Sequence, residues 1–259
     1  MTRVHPALAP YVKEILVEDP AGAPPAPRPY EVLPKPFPVI GFQYRGRLEV
    51  LRDDGPELLA RGGITGLQAT RRSFRPGPET RSVLVVLEPH GAWPLLGCPM
   101  SEVAGGHVPL GSILPAAPTR DLEDRLQEAG GIDELGELVQ SFFLDLLDRS
   151  RRRPHPAVLD AVGRIRQAHG TLPVEAVARG LGISRRQMER LFKLQVGVGP
   201  KELASLTRFE WVLGQLPRRR SWADLAFGAG YADQSHFVRS FTARTGRPPG
   251  DFAAALEGV

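Results

Sequence analysis

Trp222-Ala-Asp-Leu-Ala-Phe-Gly-Ala-Gly-Tyr-Ala-Asp-Gln-Ser-His-Phe-Val-Arg-Ser-Phe241, closed by Thr245-Gly-Arg-Pro-Pro249, is the stretch whose reading decides the fold. It opens as a short helix, Trp222–Gly228, and breaks at Gly230. It resumes as a second helix with Phe237 and Phe241 four residues apart on one face. Asp233 stands where a side-chain cap would open that second helix. Helix, tight turn, helix is the outline, and the chain contains it twice.

Ala178-x-x-x-Gly182, then Arg190, Phe192, Gly197 and Pro200, is matched by Ala226-x-x-x-Gly230, then Arg239, Phe241, Gly246 and Pro249. The first two positions are offset by 48 residues and the last four by 49, so one residue is inserted after the glycine, where a turn accepts it. In each copy a small alanine lets the short helix cross its partner closely, and the glycine permits the left-handed backbone of a sharp turn. Ser184 with Gln187 three residues on reads as a capping box. Met188, Leu191 and Phe192 are the inward residues of the first copy, Phe237 and Phe241 those of the second. Opposite them lie Arg185, Arg186, Glu189, Arg190 and Lys193, and Gln234, Ser235, His236, Arg239 and Ser240. Arginine, glutamine and small hydroxyls on an exposed helix face suit base edges and flanking phosphates in a major groove. One helix-turn-helix shape is common in proteins that never meet DNA; two capped copies on a basic domain are a far more specific signal.

Between the copies, Pro200–Leu216 reads as a linking helix, with Pro200 in its first turn and Leu206, Phe209, Leu213 and Leu216 as an inward stripe. Counted from Gly197 to Pro217 it spans roughly 30 Å, close to the 34–36 Å or so between successive major-groove faces.

Charge divides the 259 residues in the same place. Residues 1–150 carry 15 Lys and Arg against 20 Asp and Glu, and residues 151–259 carry 18 against 9, so the halves stand at −5 and +9. A polyanion is therefore expected to meet only the C-terminal half. Arg149–Pro156, with Arg151-Arg152-Arg153-Pro154-His155-Pro156, is a charged, proline-broken linker. Before it, Thr119–Ser150 holds two helical patterns split by Gly130-Gly131. The second carries Leu135, Leu138, Val139, Phe142, Phe143, Leu146 and Leu147, a stripe that serves as core or as a dimer seam. Residues 1–115 read as mainly β. Residues 20–38 are proline-rich and extended; Val39–Tyr44 and Leu48–Leu51 flank Arg45-Gly46-Arg47 as a hairpin; Arg81–Glu88 is a buried strand. One cysteine, Cys98, excludes an internal disulfide framework and a multi-thiolate zinc site, and His5, His90 and His107 lack metal-ligand clustering. No apolar run reaches membrane-spanning length, and Met1–Pro10 lacks the form of a secretory signal, so a cytoplasmic protein without a membrane partner is expected.

Taken together, the stretches Trp222–Phe241 and Thr245–Pro249, the first unit Ala178–Pro200, and Arg208 in the linking helix resemble the AraC/XylS family of transcription regulators. The resemblance covers about residues 156–259. It implies an α+β chain of two domains, with a mainly β domain, a cupin-like barrel or similar, over 1–115. A helical linker or dimerisation region follows over 116–150, and an all-α tandem helix-turn-helix domain of about seven helices over 154–259. It turns Arg186, Glu189, Arg190 and Lys193 to one major groove and Gln234, Ser235, His236 and Arg239 to the next. With the adjoining Ser184, Arg185 and Asp233 these are the candidate DNA-contacting residues. The partners implied are double-stranded DNA and RNA polymerase, with room for a small-molecule effector and a homodimer; no cofactor and no metal is expected. Leu95–Gly111 looks like a segment that recurs in family members with compact sensor domains.

In the N-terminal half, Arg45, Arg47, Arg61, Arg71, Arg72, Arg75 and Arg81 read as solvated strand edges or the lining of an anion pocket, and Trp93 and Tyr44 as core or pocket-mouth residues. Two other functions compete with an effector-responsive regulator. A DNA-targeted enzyme or repair protein would need a reactive thiol, and Cys98 in Gly97-Cys98-Pro99 has no basic pair beside it. An architectural DNA protein leaves the first 150 residues without a task.

Overall fold

Strand β3, Val39–Arg45, divides its side chains between two surroundings. Ile40, Phe42 and Tyr44 enter a large apolar core shared with helices, while Val39, Gly41 and Gln43 face a second sheet. That alternation fixes the layering of the N-terminal half. In this computed structural model, which describes residues 2–18, 28–216 and 221–257, nine strands form two antiparallel sheets. The first has the order β1-β8-β3-β6-β9, from Val12–Glu18, Arg81–Leu87, β3, Gly62–Thr65 and His107–Pro109. The second has the order β2-β7-β4-β5, from Tyr30–Val32, Arg72–Pro76, Leu48–Arg52 and Gly55–Leu58. The valines of β8 make it a buried interior strand of its sheet, between β1 and β3, as expected. Of the proline-rich stretch, residues 20–27 lie outside the described residues; beyond them Tyr30–Val32 is extended.

The expected hairpin across Arg45-Gly46-Arg47 is not one. β3 pairs with β6 and β8, β4 with β5 and β7, so the two strands lie in different sheets and Gly46 is the corner between them. Gly46 has φ +56°, and a side chain there would meet the Pro78 carbonyl. Buried Gln43 clasps the corner, donating to Ala60 O at 3.0 Å and accepting from Leu48 N at 2.9 Å. A sequence reading sees two strands three residues apart; the competing long-range ladders decide where each pairs.

On its other face the first sheet carries α1 (Ala92–Leu96), α2 (Ala116–Glu128) and α3 (Ile132–Arg149), the last two split at Gly130-Gly131 as expected. The α3 stripe serves the chain's own core: Leu135, Val139 and Phe143 are fully buried there, with Leu138, Phe142, Leu146 and Leu147 packed against them.

After an extended stretch, seven helices follow among the described residues: α4 (Pro156–Gln167), α5 (Val174–Gly180), α6 (Arg185–Gln195), α7 (Pro200–Gln215), α8 (Trp222–Gly228), α9 (Gln234–Thr245) and α10 (Pro249–Glu257). α7 is the spine. Leu203 and Leu206 belong to the apolar cluster of α4–α6, and Phe209 and Val212 to that of α8–α10. Its 16 residues span about 24 Å, shorter than the count from glycine to proline suggests. The β domain packs on both clusters. Leu67 is a member of the first and Leu33 packs against the second.

Candidate nucleic-acid interface

Each unit is built by the local rules its sequence obeys. α5 and α6 are joined through Gly182 at φ +66°, α8 and α9 through Gly230 at φ +70°. Ser184 Oγ accepts from Gln187 N at 3.1 Å and Asp233 Oδ1 from His236 N at 2.7 Å, so both second helices are capped at their first turn. Ser221 does the same for α8 through Asp224 N at 3.1 Å, a cap the sequence reading passed over. The inserted residue falls in the second turn, where Tyr231 is buried edge-on against Phe237 with ring centroids 5.3 Å apart.

Capping each helix fixes its rotation, and rotation decides which side chains face out. Met188, Leu191, Phe192, Phe237 and Phe241 are buried. Ser184, Arg185, Arg186, Arg190 and Lys193 are exposed and Glu189 half-buried; Asp233, Gln234, Ser235, His236 and Arg239 are exposed. The eleven candidates thus lie on the outward sides of two equivalent helices, though not all are free for a ligand. Ser184 and Asp233 hold the caps, and Arg185 pairs with Glu175 at 2.9 Å. That pair is exposed on both sides and contributes little to stability, so a phosphate could displace the carboxylate.

Between the units runs a cleft of about 520 Å³, with Arg185 and Glu189 from α6, Lys201 and Arg208 from α7, and His236 and Ser240 from α9 on its walls. The two recognition faces therefore border one groove. Arg208 ties them together. Its guanidinium donates to Gly170 O at 2.8 Å and Gly230 O at 3.4 Å, and lies 5.2 Å from the centre of the Tyr231 ring. Lys201 was not among the candidates, because on a helix read as a spacer it resembles any solvated lysine. Arg244 was missed for a similar reason. Near the end of α9 it looks like a cation at a helix C-terminus, yet it is buried and held by Ala69, Glu202 and Ser205.

Among the described residues, four arginines of the N-terminal half are engaged by partners within the fold. Arg47 donates to Leu59 O, Arg71 to Glu31, Arg72 to Gly105 O and Arg75 to Glu49. Tyr44 belongs to the main core and Trp93 packs against it. Burial, then the Glu102 carboxylate, pushes the Cys98 thiol up, away from the thiolate a methyl-accepting nucleophile would need. No group of three or more His, Cys, Asp or Glu is placed to hold a metal among the described residues. No helix among them is long and apolar enough to cross a membrane.

Residues 177–255 match a family model described as a helix-turn-helix domain, and residues 3–109 match one described as Domain of unknown function (DUF6597). No curated protein matches the chain. Among solved structures, ToxT from Vibrio cholerae O395 is 13% identical, with 95% of this chain and 97% of that one covered at a TM-score of 0.46. The C-terminal domain of AraT, a response regulator from Geobacillus stearothermophilus, is 24% identical over 40% of this chain and 88% of its own, at a TM-score of 0.38. The AraC-like transcriptional activator CuxR is 16% identical over 80% of this chain and 88% of its own, at a TM-score of 0.29.

Proposed function

We propose that this protein, whose residues 177–255 match a helix-turn-helix family model, is a sequence-specific, effector-responsive transcription regulator of the AraC/XylS type whose helices α6 and α9 read two adjacent major grooves. Residues 154–259 are the DNA-binding domain, 1–115 the sensor and 116–150 the helical connection between them. Arg186, Glu189, Arg190 and Lys193 serve one groove, and Gln234, Ser235, His236 and Arg239 the next. Such a regulator works beside the DNA it reads, in the cytoplasm, with RNA polymerase as its downstream partner.

One observation carries this reading: two capped helices with outward polar faces stand on a single spine and border one cleft. Phosphate contacts by Lys193, Lys201 and Arg239 would fix the register, and base-edge contacts by Arg186 and Gln234 would supply sequence preference. The test is selection of bound fragments from a randomised duplex library by the full-length chain. Enrichment of two short motifs about one helical turn apart is expected. Retardation of every sequence alike would make the protein an architectural DNA binder, and no retardation at low salt would end the proposal.

A further inference from the structure

The space between the two sheets is under-packed, and its residues show why. β3, β6 and β8 turn Ile40, Phe42, Ile64, Val83 and Val85 towards the helices. Towards the second sheet they turn Gly41, Gly63, Thr65, Ser82 and Leu84. A side chain at Gly63 would collide with the His107 ring, which lies against it. The second sheet and the chain beside it contribute a small cluster of Val50, Leu59 and Phe74. Small residues facing a small cluster leave a cavity of about 170 Å³, and a neighbour of about 80 Å³ shares Val32, Val39, Thr65 and Phe74 with it. An apolar cavity of about 150 Å³ is enough to hold benzene. Tyr30, stacked on Phe74 at 5.8 Å, and Val32 line the cavity yet remain 43% and 41% exposed, so it opens to solvent along β2.

None of the described side chains lining the larger cavity carries a carboxylate, ammonium or guanidinium. His107 is held below the ordinary histidine value by burial and then by nearby Arg72. Both ends of the Gln43 amide are bonded to the β3–β4 corner and its neighbour, and Thr65 is paired with His107 at 3.1 Å. Among the described side chains, the polar atoms left on the wall are the Ser82 hydroxyl and His107 Nε2, which is buried without a partner. We infer that this cavity binds a small neutral molecule built on one apolar ring with a single hydroxyl or amide group, its ring against Phe74, Leu59 and Leu84 and its polar group between Ser82 and His107. A charged group held in the larger cavity would be desolvated away from the nearest cations, Lys35 and Arg72, which line only the smaller neighbour.

This inference rests on the reading of the chain as an effector-responsive DNA binder, and the fold supplies a link to that role. β6 and β7 both line the cavity, and the segment joining them, residues 66–71, docks on the helices. It sends Leu67 into the α4–α6 core and presents Ala69 O and Arg71 N to Arg244 of α9. A ligand that shifts β6 against β7 alters how both helix-turn-helix units are held.

The experiment is calorimetric titration of the full-length chain with benzyl alcohol, phenol, indole and benzamide, and with benzoate as the charged counterpart. At least one neutral ring binds saturably, and benzoate binds at least tenfold more weakly. Ser82→Ala weakens the best ligand about three- to tenfold, the loss of one hydrogen bond. Gly41→Val, which adds methyl groups on the cavity wall, abolishes binding. The same samples are assayed for retardation of a library-selected duplex. A chain that retards DNA but binds no neutral ring, binds benzoate as well, or is unaffected by Ser82→Ala overturns the cavity site and leaves the regulator standing. A chain that binds the ring with these dependences but never retards DNA overturns the regulator instead.

Discussion

The Arg244 guanidinium donates a 2.9 Å hydrogen bond to the carbonyl oxygen of Ala69, across 175 residues of sequence. The backbone answers in reverse, with Arg71 N donating to Arg244 O at 2.9 Å. Arg244 also holds Glu202 Oε1 at 3.1 Å and Ser205 Oγ at 2.7 Å, so one side chain binds α9 to α7 and to the β domain together. At 8% exposure it is a structural cation, not a DNA contact.

Replacing Arg244 by Ala is expected to destabilise the full chain by about 2–3 kcal/mol, the scale for losing charge-assisted hydrogen bonds. Arg244→Lys should recover only part, since an ammonium cannot span three acceptors in the same plane. Chemical denaturation measures both, and a loss under ~0.5 kcal/mol in Arg244→Ala removes the clamp from the account.

Arg186→Ala and Gln234→Ala are each expected to cost about 1–3 kcal/mol of binding and to relax preference at one or two base pairs. Lys193 stands further along α6 and should touch only phosphate. Its loss should weaken all sequences alike and lower the salt slope by about one. Binding to a randomised library at two salt concentrations separates the roles. They are misassigned if Lys193→Ala alters a base preference while the other two leave every preference intact.

The isolated fragment 154–259 should fold and bind DNA, but melt below the same helices in the intact chain. It lacks Leu67, which is 2% exposed and part of the α4–α6 core. Leu67→Ala in the full chain should cost about 2–5 kcal/mol, as buried leucines do. Equal melting of fragment and intact domain would show that the β domain adds nothing to that core.

α3 directs its most buried apolar residues into its own chain. If this helix decides assembly, the full-length protein should sediment as a monomer at micromolar concentration. A dimer that dissociates on Leu138→Arg would instead make residues 132–148 the seam.

Acid should destabilise the protein from near neutrality. Burial lowers His90 and His107, with Arg166 adding to the first against the Pro10 carbonyl, and Arg72 and Arg52 to the second against Glu57. A histidine depressed in the folded state is protonated more readily when unfolded. Stability is therefore present above the ordinary value near 6.5 and declines as pH falls below it. Glu123 and Glu210, raised mainly by burial, act oppositely and only nearer the carboxylate range. The melting temperature should drop between pH 7.5 and 5.5, and the double change His90→Gln, His107→Gln should flatten that slope; an unchanged slope in the variant would assign the acid sensitivity elsewhere.

The helix-turn-helix units were legible in the sequence because each is made by local rules. Alanine and glycine spacing, Ser184 and Asp233 as caps, and phenylalanines four apart act within a dozen residues, so the sequence carries them in full. The exposed faces follow from the same periodicity. What tertiary structure alone decided is long-range. β3 and β4 stand three residues apart yet join different sheets, because pairing with β8 and β7 outweighs a turn. Leu67 and Leu33 complete cores that are built mostly from residues over a hundred positions away. Arg244 and Arg208 find carbonyl partners that no spacing announces. The cavity exists only where Gly41 and Gly63 from two strands meet a second sheet. A side chain's local period fixes the face it points from, but what lies opposite that face is fixed only when the whole chain has closed.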